Sequence, residues 1–100
     1  MFIEDKLFDK KKANFAKLVE YGFKKKKDTY EYSTTFLNDN YKAYITVHKN
    51  GNLTGKVYDL EMDDEYTLFR CEGSRSEEAL TVKEAYKKIL LDVKKKCYDE

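Results

Sequence analysis

Proline is absent from the 100-residue chain and glycine occurs four times, so no stretch reads as a linker between units. Cysteine is nearly as scarce. Cys71 and Cys97 are the two cysteines, and with no secretory leader expected they suit a reducing cytoplasm better than a disulfide framework. No secretory leader is expected, because the chain opens Met-Phe-Ile-Glu-Asp-Lys, placing acidic residues where a signal peptide carries its hydrophobic run. No apolar stretch approaches the ~18 to 20 residues of a membrane span. A charge excess is lacking too: 20 basic and 19 acidic residues leave a formal charge of +1. The resulting pI near 7.7 argues against a dedicated nucleic-acid binder, whose pI usually exceeds about 9. The spacings GxGxxG, P-loop, CxxC and HExxH do not occur.

What is present is patterned. Hydrophobic residues make up 41% of the chain, and 15% is aromatic, a content that excludes global disorder. The length is that of one domain, residues 1–100, able to bury a core without a metal or disulfide. Charge is nonetheless uneven. Met1 to Lys27 carries nine lysines against four acidic residues, and Asp59 to Glu65 holds five acidic residues and no basic one.

Periodicity divides the chain into elements. Within Met1 to Lys12, residues Ile3, Leu7 and Phe8 fall on one face of a short helical turn. Asn14 is placed to cap a second helix, Phe15 to Tyr21, whose Phe15, Leu18 and Val19 follow helical spacing; Gly22 suits its left-handed stop. Lys24 to Lys27 read as a charged connector. From Asp28 to Cys71 the period is two. Tyr30, Tyr32, Thr34 and Phe36 share one face of a first strand, and Leu37 to Asn40 form a turn. In the second strand Tyr41, Ala43, Ile45 and Val47 share one face, with Lys42, Tyr44, Thr46 and His48 on the other. Asn50-Gly51 predicts a type I′ hairpin. A third strand at about Leu53 to Leu60 and a fourth at about Glu65 to Cys71 flank an acidic turn, and strands so close in sequence should pair in order. Glu72 to Ser76 reads as a loop. A long helix over roughly Glu77 to Cys97 follows, its start signalled equally by Ser74 with Glu77 and by Thr81 with Glu84. Its stripe of Val82, Tyr86, Ile89, Val93 and Cys97 must be buried, and the sheet is the large apolar partner at hand.

The candidate chemistry is thin. His48 is the single histidine and has no local nucleophile or orienting carboxylate, so it reads as an exposed residue beside a turn. Asp59, Glu61, Asp63, Asp64 and Glu65 lack the spacing and glycine of a calcium loop and read as a solvated turn. Lys10 to Lys12 and Lys24 to Lys27 could touch phosphates. No arginine precedes Arg70, however, which disfavours base-specific readout. Cys71 and Cys97 read as small buried hydrophobes. Nine tyrosines offer the best lead. Those facing away from the core, Tyr44 and Tyr58, would form an aromatic patch of the kind enriched at protein interfaces.

Taken together, Lys17-Leu18-Val19-Glu20-Tyr21-Gly22-Phe23, Tyr30-Glu31-Tyr32-Ser33, Val47-His48-Lys49-Asn50-Gly51, Val57-Tyr58-Asp59-Leu60, Glu65-Tyr66-Thr67 and Val82-Lys83-Glu84-Ala85-Tyr86 through Cys97 resemble the N-terminal domain that precedes MmcQ/YjbR-like domains in certain bacterial proteins. The resemblance spans nearly the whole chain and rests on order and spacing, since no motif in it is catalytic. It implies a domain of unestablished function beside one described as a possible DNA-binding fold. With the chain ending at Glu100, the expectation is that the MmcQ/YjbR-like portion is absent, so its DNA-binding role and site residues are not carried over.

The expected fold is therefore α+β: a four-stranded antiparallel β-meander with an N-terminal helical segment and a long C-terminal helix packed on one face. The expected function is a non-catalytic, cytoplasmic protein-binding module acting through Tyr44 and Tyr58 on the exposed sheet face or through an edge strand. The alternative is an accessory nucleic-acid contact through the basic N-terminal region, including Lys24, Lys25, Lys26 and Lys27. No cofactor, metal or membrane is expected.

Overall fold

A computed structural model describes residues 3–8, 12–70 and 76–99. Helix α1 spans Ile3–Phe8 and strand β1 Lys12–Ala13, followed by α2, Phe15–Tyr21. Asn14 caps α2 by accepting from the Lys17 N–H, and Gly22 ends it at φ +128°, its N–H shared between the Leu18 and Val19 carbonyls. Both ends are those the sequence predicts. Five strands follow: β2 (Lys24–Lys25), β3 (Thr29–Phe36), β4 (Tyr41–His48), β5 (Leu53–Asp59) and β6 (Asp64–Glu65). They pair antiparallel in sequence order, as a meander. A 3₁₀ turn, Leu68–Arg70, precedes α3, Glu77–Cys97, and the chain closes with β7, Tyr98–Asp99, paired to β1.

The fold is α+β with an antiparallel sheet and a long C-terminal helix, but the sheet has five strands where the sequence predicts four. The added strand is Lys24–Lys25, read above as a connector. A run of lysines carries no alternation, and its strand character comes from tertiary pairing with Glu31 and Tyr30. The fourth predicted strand is cut short after Glu65. Tyr66 and Phe69 are both buried, a spacing of three that fits a 3₁₀ turn and breaks a two-residue rhythm. Cys71 and residues 72–75 of the predicted 72–76 loop lie outside the described residues, as do Lys10 and Lys11. The hairpin at Asn50-Gly51 also differs. Gly51 alone takes positive φ, +90°, and its N–H donates to the His48 carbonyl while the His48 N–H donates to that of Asn52. That is a three-residue loop with a glycine bulge rather than a type I′ turn. The cap of α3 is Ser76, whose hydroxyl accepts from the Ala79 N–H; Thr81 of one predicted box lies inside the helix, and Ser74 of the other lies outside the described residues.

One face of the sheet is sealed. Tyr41, Ala43, Ile45 and Val47 of β4 and Leu53 and Val57 of β5 are buried against Val82, Tyr86, Leu90 and Val93 of α3 and against Phe8 and Leu18 from the first two helices. Ile89 packs against this core only partly buried. The other residues of β4 are half-buried throughout and, among the described residues, stand on the face of the sheet that does not join the buried core.

Candidate functional site

The outer face follows from register. With Lys42 opposite Tyr58 and Tyr44 opposite Lys56, lysine and tyrosine alternate both along and across β4 and β5. The rings of Tyr44 and Tyr58 meet edge to face, centroids 5.7 Å apart at 76°. The Lys56 ammonium sits 5.6 Å from the Tyr44 ring and 5.4 Å from the Tyr58 ring, and Lys42 lies 5.2 Å from Tyr44 on its other flank. Each such contact is worth about 0.5–1 kcal/mol at an exposed site, which biases the lysine stems toward the rings without fixing them. Farther along the face, Lys24 pairs with Glu31 across β2 and β3. A shallow concavity of about 390 Å³ there is bordered by Lys24, Lys26, Glu31, Ser33, Tyr44 and Thr46. The predicted Tyr44 and Tyr58 patch thus exists, joined by Lys42 and Lys56. The two-residue rhythm alone puts Lys42 beside Tyr44 and Lys56 beside Tyr58, but the checkerboard requires the register, which the sequence does not print.

Lys24 to Lys27 divide between two surfaces. Lys24 and Lys26 border the outer face, and Lys26 also joins Lys25 and Lys27 around a separate concavity with Phe15, Tyr30 and Lys49. His48 lies on the outer face, its Nε2 3.2 Å from the Thr54 hydroxyl. The acidic segment builds its own turn: the Asp59 carboxylate accepts from the N–H groups of Glu61 and Met62. Among the described residues no group of three or more His, Cys, Asp or Glu side chains could hold a metal ion, and no helix is long and apolar enough to cross a membrane. Cys97 is fully buried and its thiol lies 3.7 Å from the Lys17 carbonyl; burial, with Asp92 adding, pushes it up to about 11.

A buried ionic cluster escaped the sequence reading. Glu4 of α1, 2% exposed, accepts two hydrogen bonds from Arg70, at 3.1 and 2.8 Å, and Arg70 also donates to the Gly55 carbonyl at 2.8 Å. Burial alone would lower the Arg70 guanidinium; the hydrogen bonds and charge of Glu4 outweigh it and raise it. The Tyr66 N–H donates to the Val57 carbonyl, so two acceptors on the outer edge of β5 are occupied. The sequence signal was the position of Glu4, four residues before Phe8 and so on the same face of the helical turn. Its partner, 66 positions away, could not be read.

Compared with known proteins, the chain matches no family model, no curated protein and no solved structure.

Proposed function

We propose that this domain is a non-catalytic binding module that takes an acidic segment of a partner protein on the outer face of its sheet. The supporting observation is the checkerboard of Tyr44, Tyr58, Lys42 and Lys56, in which two ammonium groups lie over two half-buried rings packed edge to face. Tyrosine supplies large contact area at low entropic cost, and side chains ordered before binding lose less freedom on binding. Lys24, Lys42 and Lys56 outnumber Glu31 and Glu65 on this face, so charge complementarity favours an acidic partner. Strand addition at β5 is disfavoured because Arg70 and Tyr66 already take its carbonyls. The resemblance to the domain preceding MmcQ/YjbR-like domains belongs to the same proposal, as does action in the reducing cytoplasm: an accessory unit, without chemistry of its own.

Parallel capture from native lysate tests it, with wild-type protein and Lys42→Glu/Lys56→Glu as baits. The reading requires an acidic partner that wild type retains, that the double variant loses, and that elutes as salt rises. Equal capture by both baits would overturn it.

A further inference from the structure

The concavity on the opposite side of β2 carries a second site, beyond the protein-binding reading and independent of it. Its floor is aromatic: Phe15, the first residue of α2, stacks on Tyr30 of β3 with centroids 5.1 Å apart and planes 15° from parallel. The volume is about 340 Å³, within the roughly 300–1,000 Å³ range of small-ligand pockets. Around the rim stand Lys25, Lys26, Lys27 and Lys49, with Asp28 the one acidic residue in the lining. The cluster is built by the fold. A tight turn closed by the Lys26 N–H donating to the Thr29 carbonyl gathers the three consecutive lysines, and the β3–β4 pairing of Thr29 with His48 brings Lys49 across to them. Asp28 neutralises Lys49 in part, at 3.3 Å, but both side chains are about 70% exposed, so the pair is weak and easily exchanged. An excess of three positive charges remains over an apolar, ring-floored hollow.

Like charges held this close repel one another, and an anion relieves that repulsion. Lysine ammonium groups are point-charge binders of phosphate, without the bidentate fork that reads a base edge. The aromatic floor adds a surface on which a planar ring can stack, a contact that tolerates any base. We propose that this pocket binds a nucleotide, its base against the Phe15–Tyr30 stack and its phosphate among Lys25, Lys26, Lys27 and Lys49, whether free or at the end of a single strand.

Amide chemical-shift mapping of the full chain, titrated at low salt with AMP, with oligothymidylate and with inorganic phosphate, tests the assignment. The expected result is saturable shifts at residues 15, 25–30 and 49, with AMP binding at least tenfold tighter than inorganic phosphate. Lys25→Glu/Lys27→Glu should weaken AMP at least tenfold without changing the circular dichroism spectrum. Lys49→Glu, a single exposed position, should weaken it about threefold and serves if the double variant misfolds. A free nucleotide is the source if AMP and oligothymidylate bind alike. A single strand is the source if the oligomer binds tighter and loses affinity with salt at a slope of about −0.7 per phosphate contact. Absence of shifts with both nucleotide probes, equal binding of inorganic phosphate, or unchanged AMP affinity in the variants would overturn the proposal. Neither Lys25 nor Lys27 borders the tyrosine patch, so failure here leaves the protein-binding reading intact.

Discussion

At the scale of single residues, the tightest constraint is at Gly55. A Cβ there would stand 2.1 Å from the Tyr86 hydroxyl and 3.1 Å from the Tyr44 carbonyl, and Tyr86 is fully buried with no room to withdraw. Gly55→Ala should therefore cost about 2 kcal/mol, the usual scale of overpacking, in urea denaturation. Combining it with Tyr86→Phe removes the closest clashing atom, so the double variant should lose distinctly less than the two singles added together. Additive losses would mean that the contact is not what glycine serves. A second residue-scale consequence concerns alkaline pH. Burial raises the Cys97 thiol from an ordinary 9.0 to about 11 and likewise raises the phenols of Tyr21, Tyr41, Tyr66, Tyr86 and Tyr98. For each group the unfolded chain gives up its proton at lower pH than the folded one. Stability is thus whole below about pH 9 and falls as pH climbs toward 11. Urea midpoints measured from pH 8 upward should decline over that window; a flat profile would contradict the burial of these groups.

At the scale of elements, α1 shows how a helix of six residues, too short to persist alone, is kept. Phe8 anchors it apolarly and Glu4 anchors it ionically, through Arg70, to the edge of β5. Breaking a buried pair by removing one partner costs about 3–5 kcal/mol, whereas replacing both by apolar groups is often neutral. Arg70→Met should be strongly destabilising in chemical denaturation, and Glu4→Leu/Arg70→Met less so. The opposite order would show that the charges contribute net stability. Elements also differ in how far the chain announced them. The bounds of α2, the body of α3 and the alternation of β3 and β4 were legible because local periodicity and tertiary burial agree there. Lys24–Lys25, the Tyr66 to Arg70 turn and the β1–β7 pair were not, since each owes its form to a distant partner: Glu31, Gly55 and Tyr98 respectively.

At the scale of the molecule, helices seal one face of the sheet and leave the other to a lattice of tyrosine and lysine. Tyr44 and Tyr58 could be assigned to that face from rhythm alone. Their coupling to Lys42 and Lys56, and the division of Lys24–Lys27 between two surfaces, depend on register and on a turn that no local pattern encodes. Because the pair lies outside the core, Tyr44→Ser/Tyr58→Ser should leave the circular dichroism spectrum and a cooperative urea transition in place while abolishing partner capture, a combination that separates binding from folding. Site-specific photo-crosslinking reads the outer face most directly, with a photoreactive residue at Thr54, beside the patch, and in parallel at exposed Leu91 on α3. Crosslinks to an acidic partner from position 54 and none from position 91 are expected; crosslinking from 91 alone would contradict the outer face as the binding surface.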